Sequence, residues 1–299
     1  MNMKKDVLVI GAAILDVLAR PTSESVFESG SYPCEDIKIS YGGDALNDSI
    51  LLSIMGKKVE LISVIGNDQE GRMIVNKCKE HSITLRNDLR DDIHTGVNIV
   101  LVKEDGSRHF LTNRNGSLRK LCLDDIVFKF DEAKILLFAS IFVFPLLKDE
   151  ELSKMFCHAK GKGMTIVCDM TKCKNNETIS DLKNTLPYID YLMPNDEEIC
   201  LFTRCTSVEE ACNKLLDAGV KNIIVKCGKQ GCYVANKNEC YWVGIPENVP
   251  CIDSCGAGDS FVSGFVKTLL ENKSLKECAE FGNVCGGKCV QVLGATEWL

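Results

Sequence analysis

A glycine-rich stretch at residues 253–259 carries the residue types and spacing that point most directly to chemistry. It reads Asp253-Ser254-Cys255-Gly256-Ala257-Gly258-Asp259, and a helical pattern follows it. Two glycines around an alanine allow a tight turn with outward N–H groups, and the N-terminus of the next helix adds its dipole, so the stretch could hold an anion. Asp259 could then accept a proton from an attacking hydroxyl, or it could merely cap the helix. The local pattern is too short to separate these two interpretations.

A second glycine-containing stretch precedes another helical pattern. It reads Tyr41-Gly42-Gly43-Asp44-Ala45-Leu46-Asn47. Paired glycines let a ligand approach the backbone closely, and Asn47 can both donate and accept hydrogen bonds, which suits a polyol. A plain turn at a helix start explains the same residues, and taken alone it is the favoured interpretation.

Both stretches lie within an alternation of short apolar runs and amphipathic runs. The predicted strands are 6–10, 59–65, 135–139, 164–168, 190–193 and 222–226. The predicted helices are 45–56, 69–80, 149–161, 196–203, 207–218, 258–271 and 274–292. Continuous apolar runs suit strands that are buried on both faces, so the pattern predicts an α/β fold whose mainly parallel sheet has helices on either side.

Two segments depart from that rhythm, at 17–41 and 91–112. They contain alternating, partly polar runs, and a turn at 104–107 joins two of these runs. Alternation is typical of a sheet with one solvent-exposed face. We therefore predict a small β-lid, made of 17–41 and 91–112, inserted in an α/β core made of 1–16, 42–90 and 113–299.

The composition narrows the class of protein. A chain of 299 residues with 45% hydrophobic residues can bury a large core, and its net charge of −7 argues against a nucleic-acid partner. The opening apolar run at 7–11 is too short for a signal sequence or a membrane span. The 17 cysteines include no Cys-x-x-Cys, and Cys285 with Cys289 alone is not a structural zinc site. We expect a cytoplasmic protein with reduced thiols and no membrane partner.

Six stretches, in order, resemble the motifs of the ribokinase-like (PfkB) carbohydrate kinase family. Residues 11–16 resemble its opening strand, 42–47 its Gly-Gly-x-x-x-Asn, 66–71 its Gly-x-Asp-x-x-Gly, 195–198 its Asn-x-x-Glu, 227–231 its Gly-x-x-Gly turn and 253–259 its Asp-Thr-x-Gly-Ala-Gly-Asp. The resemblance covers nearly the whole chain. It implies a ribokinase-like three-layer sandwich, and an enzyme that transfers the γ-phosphoryl group of ATP to a hydroxyl of a small sugar with Mg²⁺.

The resemblance also implies a role for each matching residue. Asp259 would be the catalytic base, with Gly256, Ala257 and Gly258 as the anion hole. Substrate hydroxyls would be held by Asp16, Gly42, Gly43 and Asn47. Asn195 and Glu198 would position Mg²⁺, through water, and the phosphates. The nucleotide pocket would be lined by Lys226, Gly228, Gly231 and Asn283. Asp253 would bind a monovalent cation, typically K⁺, and two chains would pair through the lid as a homodimer.

Three other functions are conceivable for a chain with these features. The stretch at 139–145 is apolar where ribokinases place a sugar-binding carboxylate, which would suit a nucleoside kinase. A non-catalytic sugar- or nucleotide-binding regulator would be expected to lack the base or the anion hole, yet both are present. A dinucleotide oxidoreductase is disfavoured because Gly11-Ala12-Ala13-Ile14 stands where Gly-x-Gly-x-x-Gly would follow the first strand.

Overall fold

A computed structural model of the chain describes residues 5–104, 107–126, 133–245 and 249–299. Its strands are β1 (Lys5–Gly11), β2 (Ile14–Arg20), β3 (Asp36–Gly42), β4 (Val59–Ile62), β5 (Thr84–Leu85), β6 (Val97–Val102), β7 (Arg108–Thr112), β8 (Ala133–Ile141), β9 (Thr165–Met170), β10 (Tyr191–Met193), β11 (Asn222–Lys226), β12 (Cys232–Asn236) and β13 (Cys240–Val243). Its α-helices are α1 (Val26–Ser29), α2 (Asp44–Ile54), α3 (Gln69–Glu80), α4 (Asp149–Gly161), α5 (Asp196–Thr203), α6 (Val208–Asp217), α7 (Ala257–Leu269) and α8 (Leu275–Cys289).

A large sheet forms the middle layer. Within the described residues its nine strands run in the order β13-β12-β11-β10-β9-β8-β1-β4-β5, and β1 pairs in parallel with both β8 and β4. Alternate residues of β1 enter different core clusters: Leu8 and Ile10 pack with α4, α5 and α6, whereas Val7 and Val9 pack with α2, α7 and α8. Helices therefore cover both faces, which confirms the predicted three-layer α/β fold.

The smaller sheet consists of β3, β2, β6 and β7, in that order, among the described residues. β2 pairs antiparallel with β3 and parallel with β6, and β7 pairs antiparallel with β6. Its strands extend beyond the predicted insert, to Ile14 at one end of β2 and to Gly42 at one end of β3. Of the predicted turn at 104–107, Asp105 and Gly106 lie outside the described residues.

The pleat of the smaller sheet separates two kinds of face, because side chains alternate along each strand. The register aligns a polar row on what we call the inner face, namely Ser40, Asp16, Asn98 and Thr112. The opposite, outer face carries an apolar row, namely Ile39, Val17, Ile99 and Leu111. Ile39, Ile99 and Leu111 are 55%, 42% and 55% exposed, so this outer face is an apolar surface open to solvent.

Some elements differ from the sequence-based expectation. The hairpin β12–β13 was not predicted. β13 is an edge strand with partly exposed residues such as Trp242, whereas β12 is a short buried apolar run, at 232–235, that the sequence-based prediction left out. The helix predicted over 274–292 ends at Cys289, since the carbonyl of Val290 accepts from the N–H groups of Ile252 and Asp253 instead. All 17 cysteines are free thiols and nine are buried. Among the described residues, no helix has the length and apolar character needed to cross a membrane.

Candidate active site

A cavity of about 580 Å³ lies where β9 and β11 end and α7 begins. The predicted residues that line it are Asn195, Glu198, Lys226, Gly228, Gly231, Ala257, Gly258, Asp259 and Asn283. The rest of its wall includes apolar side chains such as Ile245, Val249 and Val290. The structure thus brings the residues expected to bind a nucleotide and those expected to act on it to one cavity, at the carboxyl ends of parallel strands, where α/β proteins bind ligands.

The glycine loop, residues 253–258, leads directly into α7. Gly256 precedes the helix with φ of 71°, and a Cβ there would lie 2.4 Å from the Cβ of Ala295. A larger residue is therefore excluded both by conformation and by space. The C-terminal segment also supports the next turn, because the indole N–H of Trp298 donates to the hydroxyl of Ser260 at 2.8 Å. The N-terminus of α7 can hold an anion, and the N–H of Ala257 also donates to the carbonyl of Ser254 at 3.3 Å.

Asp259 lies in the first turn of α7 and lines the cavity. The side-chain amide of Asn47 donates to its Oδ2 at 2.8 Å. Burial, and then the charge of Asp44, raise the pKa of Asp259 to about 8, against the opposing effects of Asn47 and Lys226. A raised pKa makes this carboxylate, once ionised, a stronger proton acceptor than an ordinary aspartate.

Lys226, at the end of β11, forms a buried ion pair with Asp169, at the end of β9. Its Nζ lies 2.6 and 2.8 Å from the two carboxylate oxygens of Asp169. Burial alone would lower the pKa of Lys226, but Asp169 and Glu198 outweigh that effect and raise it. Asp169 was missed by sequence reasoning, although its position just after a buried apolar run was a usable signal.

Asn195 and Glu198 begin α5 with a reciprocal capping box. Asn195 Oδ1 accepts from the N–H of Glu198, and Glu198 Oε2 accepts from the N–H of Asn195, both at 2.8 Å. Burial raises the pKa of Glu198 to about 7, although the charge of Lys226 opposes the rise. Both residues therefore have a structural role in addition to the role that the resemblance implies.

Asp44 is a further carboxylate of the cavity that sequence reasoning left without a role. It is the first residue of α2, and it accepts a hydrogen bond from the hydroxyl of Ser140. Its charge contributes to the raised pKa of both Asp259 and Glu198. The signal for it was its place directly after the paired glycines.

Two of the residues predicted to bind the nucleotide contact the same backbone carbonyl in the wall of the cavity. Asn283 donates from Nδ2 to the carbonyl of Val243 at 2.8 Å. At Gly231 φ is 89°, and a Cβ there would lie 2.1 Å from that same carbonyl oxygen. Gly228, also with a positive φ of 53°, begins this turn. These residues build the wall of the cavity, and a side chain at Gly231 would displace it.

The predicted substrate residues lie at the junction of the smaller sheet and α2. A Cβ on Gly42 would lie 2.3 Å from a carboxylate oxygen of Asp16. Gly43 has a φ of 90°, and a Cβ on it would lie 2.5 Å from the carbonyl oxygen of Ala12. Burial raises the pKa of Asp16, while the amide of Asn98, which donates to it at 3.0 Å, opposes the rise. Asn47 joins this group to Asp259. The role of Asn98 was not predicted, because only the register of β2 and β6 reveals it.

Asp253 forms hydrogen bonds within the glycine loop, and its positively charged partner is an arginine rather than the expected K⁺. Its Oδ1 accepts from the N–H of Cys255 at 2.8 Å, and its Oδ2 accepts from the N–H of Gly294 at 3.2 Å. The guanidinium of Arg108, from β7, also binds Oδ1. With both oxygens engaged and a cation already in contact, the surroundings of Asp253 do not fit a bound K⁺ ion.

A profile of pfkB family carbohydrate kinases matches residues 4–299. The chain belongs to this family. A ribokinase from Haemophilus influenzae is 27% identical over 305 residues, which cover 98% of this chain and 94% of that protein. The match confirms the prediction of a carbohydrate-kinase type of phosphotransferase.

Two solved structures share the fold of this PfkB chain. An adenosine kinase from Sinorhizobium meliloti gives a TM-score of 0.80 at 20% identity, covering 98% of this chain and 96% of its own. An Arabidopsis thaliana ribokinase complexed with ribose and ATP gives 0.79 at 21% identity, covering 99% and 96%. At such identities the structures confirm the ribokinase-like fold, and they include both a sugar kinase and a nucleoside kinase.

The apolar segment at 139–145, which favoured a nucleoside substrate, contributes to the core of this PfkB chain. The ring of Phe142 packs edge-on against Phe202 at 5.4 Å between centroids, and Phe144 packs against Phe138 at 6.1 Å. Ser140 faces Asp44. The aromatic character of the segment is therefore accounted for by packing, and it gives no separate support for a nucleobase.

Magnesium is the metal that the family implies, and the donor chemistry of the cavity fits it. Asp44 and Glu198 offer the carboxylate oxygens that Mg²⁺ prefers, whereas both oxygens of Asp169 already contact Lys226. Within the described ranges, no three Asp, Glu, His or Cys side chains are grouped closely enough to hold a metal alone. Mg²⁺ bound through water and phosphate oxygens is consistent with that arrangement.

Proposed function

We propose that this PfkB protein transfers the γ-phosphoryl group of ATP to a hydroxyl of a small sugar, with Asp259 as the base. The observation that carries the proposal is the contact between Asn47 and Asp259 beside the N-terminus of α7. This contact brings together a proton acceptor, an anion-binding helix end and a polar side chain that can bind the substrate.

Asn47 and Asp16 orient the sugar. The Oδ1 atom of Asn47 is buried and has no hydrogen-bond partner among the described residues, while its Nδ2 donates to Asp259. A buried acceptor left unpaired is costly, by about 1–3 kcal/mol, so a ligand hydroxyl that donates to it gains affinity. The sugar would donate a second hydrogen bond to Asp16, which Asn98 already holds in place.

The base and the helix end then act on opposite ends of the new bond. Asp259 removes the proton from the attacking sugar hydroxyl while the oxygen of that hydroxyl bonds to the γ-phosphorus. The bond from the γ-phosphorus to the ADP oxygen breaks at the same time. The N–H groups of Gly256, Ala257 and Gly258 receive the negative charge of the transferring group. Lys226 places a positive charge beside these N–H groups. Its Nζ lies 3.5 Å from the position that a Cβ on Gly258 would occupy. Mg²⁺, when bound near Glu198 and Asn195, neutralises phosphate charge.

We infer that segments 17–41 and 91–112 form a lid on the core, and that two chains pair through it. The inner face of the smaller sheet presents Asp16 to the substrate, so closing it would exclude water and suppress ATP hydrolysis. The exposed apolar row of the outer face supports pairing, because such patches mark protein interfaces. A twofold homodimer is the default for such a self-complementary surface.

A substrate panel tests the proposal. Thermal shift with a non-hydrolysable ATP analogue and Mg²⁺ would be measured for sugars and nucleosides in parallel, followed by ADP release with ATP. A sugar that raises the melting temperature only together with nucleotide, and that is turned over, supports the proposal. Turnover of nucleosides alone would establish the nucleoside-kinase alternative, which the adenosine kinase neighbour keeps open. Binding without turnover by any compound would favour a regulator.

A further inference from the structure

Arg108 connects the smaller sheet to the glycine loop. It begins β7, and its register opposite Val102 places it on the inner face. Its side chain is 21% exposed and contacts Asp253, whose side chain is only 4% exposed. The two residues lie 145 positions apart in the sequence. The pair closes one side of a second cavity, of about 850 Å³, between the smaller sheet and the loop.

The carboxylate of Asp253 organises the loop and therefore requires a positive partner. It binds the N–H of Cys255, inside the loop, and the N–H of Gly294, in the C-terminal segment. A buried carboxylate without a cation would be expensive, since even paired ions lose several kcal/mol on leaving water. Arginine is the residue best suited to this task, because its guanidinium is always charged, planar and weakly hydrated.

We propose that the guanidinium of Arg108 is a built-in cation that holds the glycine loop in its anion-binding shape, so that this chain needs no monovalent metal ion. The proposal rests on the proposed function for its kinetic consequences but not for its structural ones. Arg108 is a positioning residue, since it acts through Asp253 on the N–H groups of Gly256 to Gly258 rather than on the substrate. Because it comes from the smaller sheet, the anion hole is complete only while that sheet packs on the loop.

Replacing Arg108 by alanine should convert the protein into one that requires a cation. The matched control is Arg20→Gln. Arg20 lies on the inner face of the same sheet and lines the same cavity, but it pairs with Asp36 at 3.4 Å within the sheet and not with the loop. Rates and melting temperatures would be measured in potassium, sodium and tetramethylammonium chloride at matched ionic strength.

The expected results separate a cation role from a structural one. Wild type and Arg20→Gln should turn over within about twofold in the three salts, whereas Arg108→Ala should lose roughly tenfold or more in tetramethylammonium, as expected for removal of one partner of a buried pair. Potassium, or millimolar guanidinium, should restore most of that loss. Potassium should also raise the melting temperature of Arg108→Ala, but not of wild type, without any substrate present.

Three outcomes would overturn the proposal. The first is severalfold stimulation of the wild type by potassium over tetramethylammonium. The second is a loss in Arg108→Ala that is equal in all salts and not restored by guanidinium. The third is a rise in the sugar KM with kcat unchanged, which would make Arg108 a substrate ligand. If no compound is turned over, the proposed function fails, yet the melting temperatures still decide whether a cation replaces Arg108.

Discussion

The two sheets supply the site in different ways. The large sheet contributes Asp169 and Lys226 at the ends of strands that are buried on both faces. The smaller sheet contributes Asp16 and Arg108 from strands whose outer face is open to solvent. A cross-strand hydrogen bond from Asn98 holds Asp16, and an ion pair with Asp253 of the glycine loop holds Arg108. Densely packed interiors move little, whereas thinly packed elements open more easily. We infer that changes on the core side of the site reduce kcat or the affinity for ATP, and that changes on the smaller sheet alter sugar affinity and loop order.

Asp259→Asn should have the largest effect of any change on the core side of the site. The amide has nearly the same shape but cannot accept the hydroxyl proton, so kcat should fall by ~10²–10⁴-fold while ATP binding persists. Initial rates and nucleotide thermal shift measure the two effects. Asp48→Asn is the matched control, because Asp48 is a buried carboxyl that accepts from Ser263, one turn of α7 beyond Asp259. A variant at Asp259 that keeps more than a tenth of the activity would disprove the assignment of the base.

Lys226→Met tests whether the core side of the site depends on its ion pair. It would leave Asp169 buried with no counter-charge, so the free energy of unfolding should fall by about 3–5 kcal/mol and the KM for ATP should rise. Urea denaturation and steady-state kinetics provide the measurements. The double variant Lys226→Met/Asp169→Leu should regain most of the stability but not the affinity for ATP. Equal stability of the single variant and the wild type would show that the pair contributes nothing.

Asn98→Leu tests the smaller-sheet side. It removes the donor to Asp16, and a hydrogen bond to a charged group is worth about 1.5–3 kcal/mol, so the KM for the sugar should rise roughly tenfold or more with kcat little changed. Thr112→Val is the graded control, since the hydroxyl of Thr112 only supports Asn98, at 2.8 Å. A fall in kcat without a change in KM would contradict the division between the two sheets.

Much of the fold and part of the site were predictable from the sequence. Continuous apolar runs such as Ile223–Val225 report burial directly, whereas the partly exposed edge strand β13 gives no such signal. The glycine loop and Asn47 were singled out because each lies in a short local motif, and the resemblance to the family then assigned them roles. Arg108 and Asp169 were not singled out. Their ion-pair partners lie 145 and 57 positions away in the sequence, and only the folded chain brings each pair together.

The pH dependence of stability gives a smaller test of the buried base. Burial, and then Asp44, raise the pKa of Asp259 to about 8, above the usual carboxyl value of 3.8, so the folded state holds a proton there that the unfolded state has lost. Between these two values the contribution of Asp259 to stability therefore falls as pH rises. Asp259→Asn should melt a few degrees above wild type at pH 8, with a smaller difference at pH 5. A difference independent of pH would show that Asp259 is not held protonated.

The smallest effect on turnover is expected at the outer face of the smaller sheet. Ile99 lies between Val17 and Leu111 in the apolar row, and Ile99→Lys places a charge at the centre of the surface through which we propose that two chains pair. Light scattering at micromolar concentration should show about twice the 33.0 kDa chain mass for wild type and a single chain for the variant. Because Ile99 points away from the face that carries Asp16, kcat should stay within about twofold.

Ile54→Lys, at an exposed apolar position on α2, is the control and should remain a dimer. A monomeric wild type would refute pairing, and a dimeric Ile99→Lys would place the interface elsewhere.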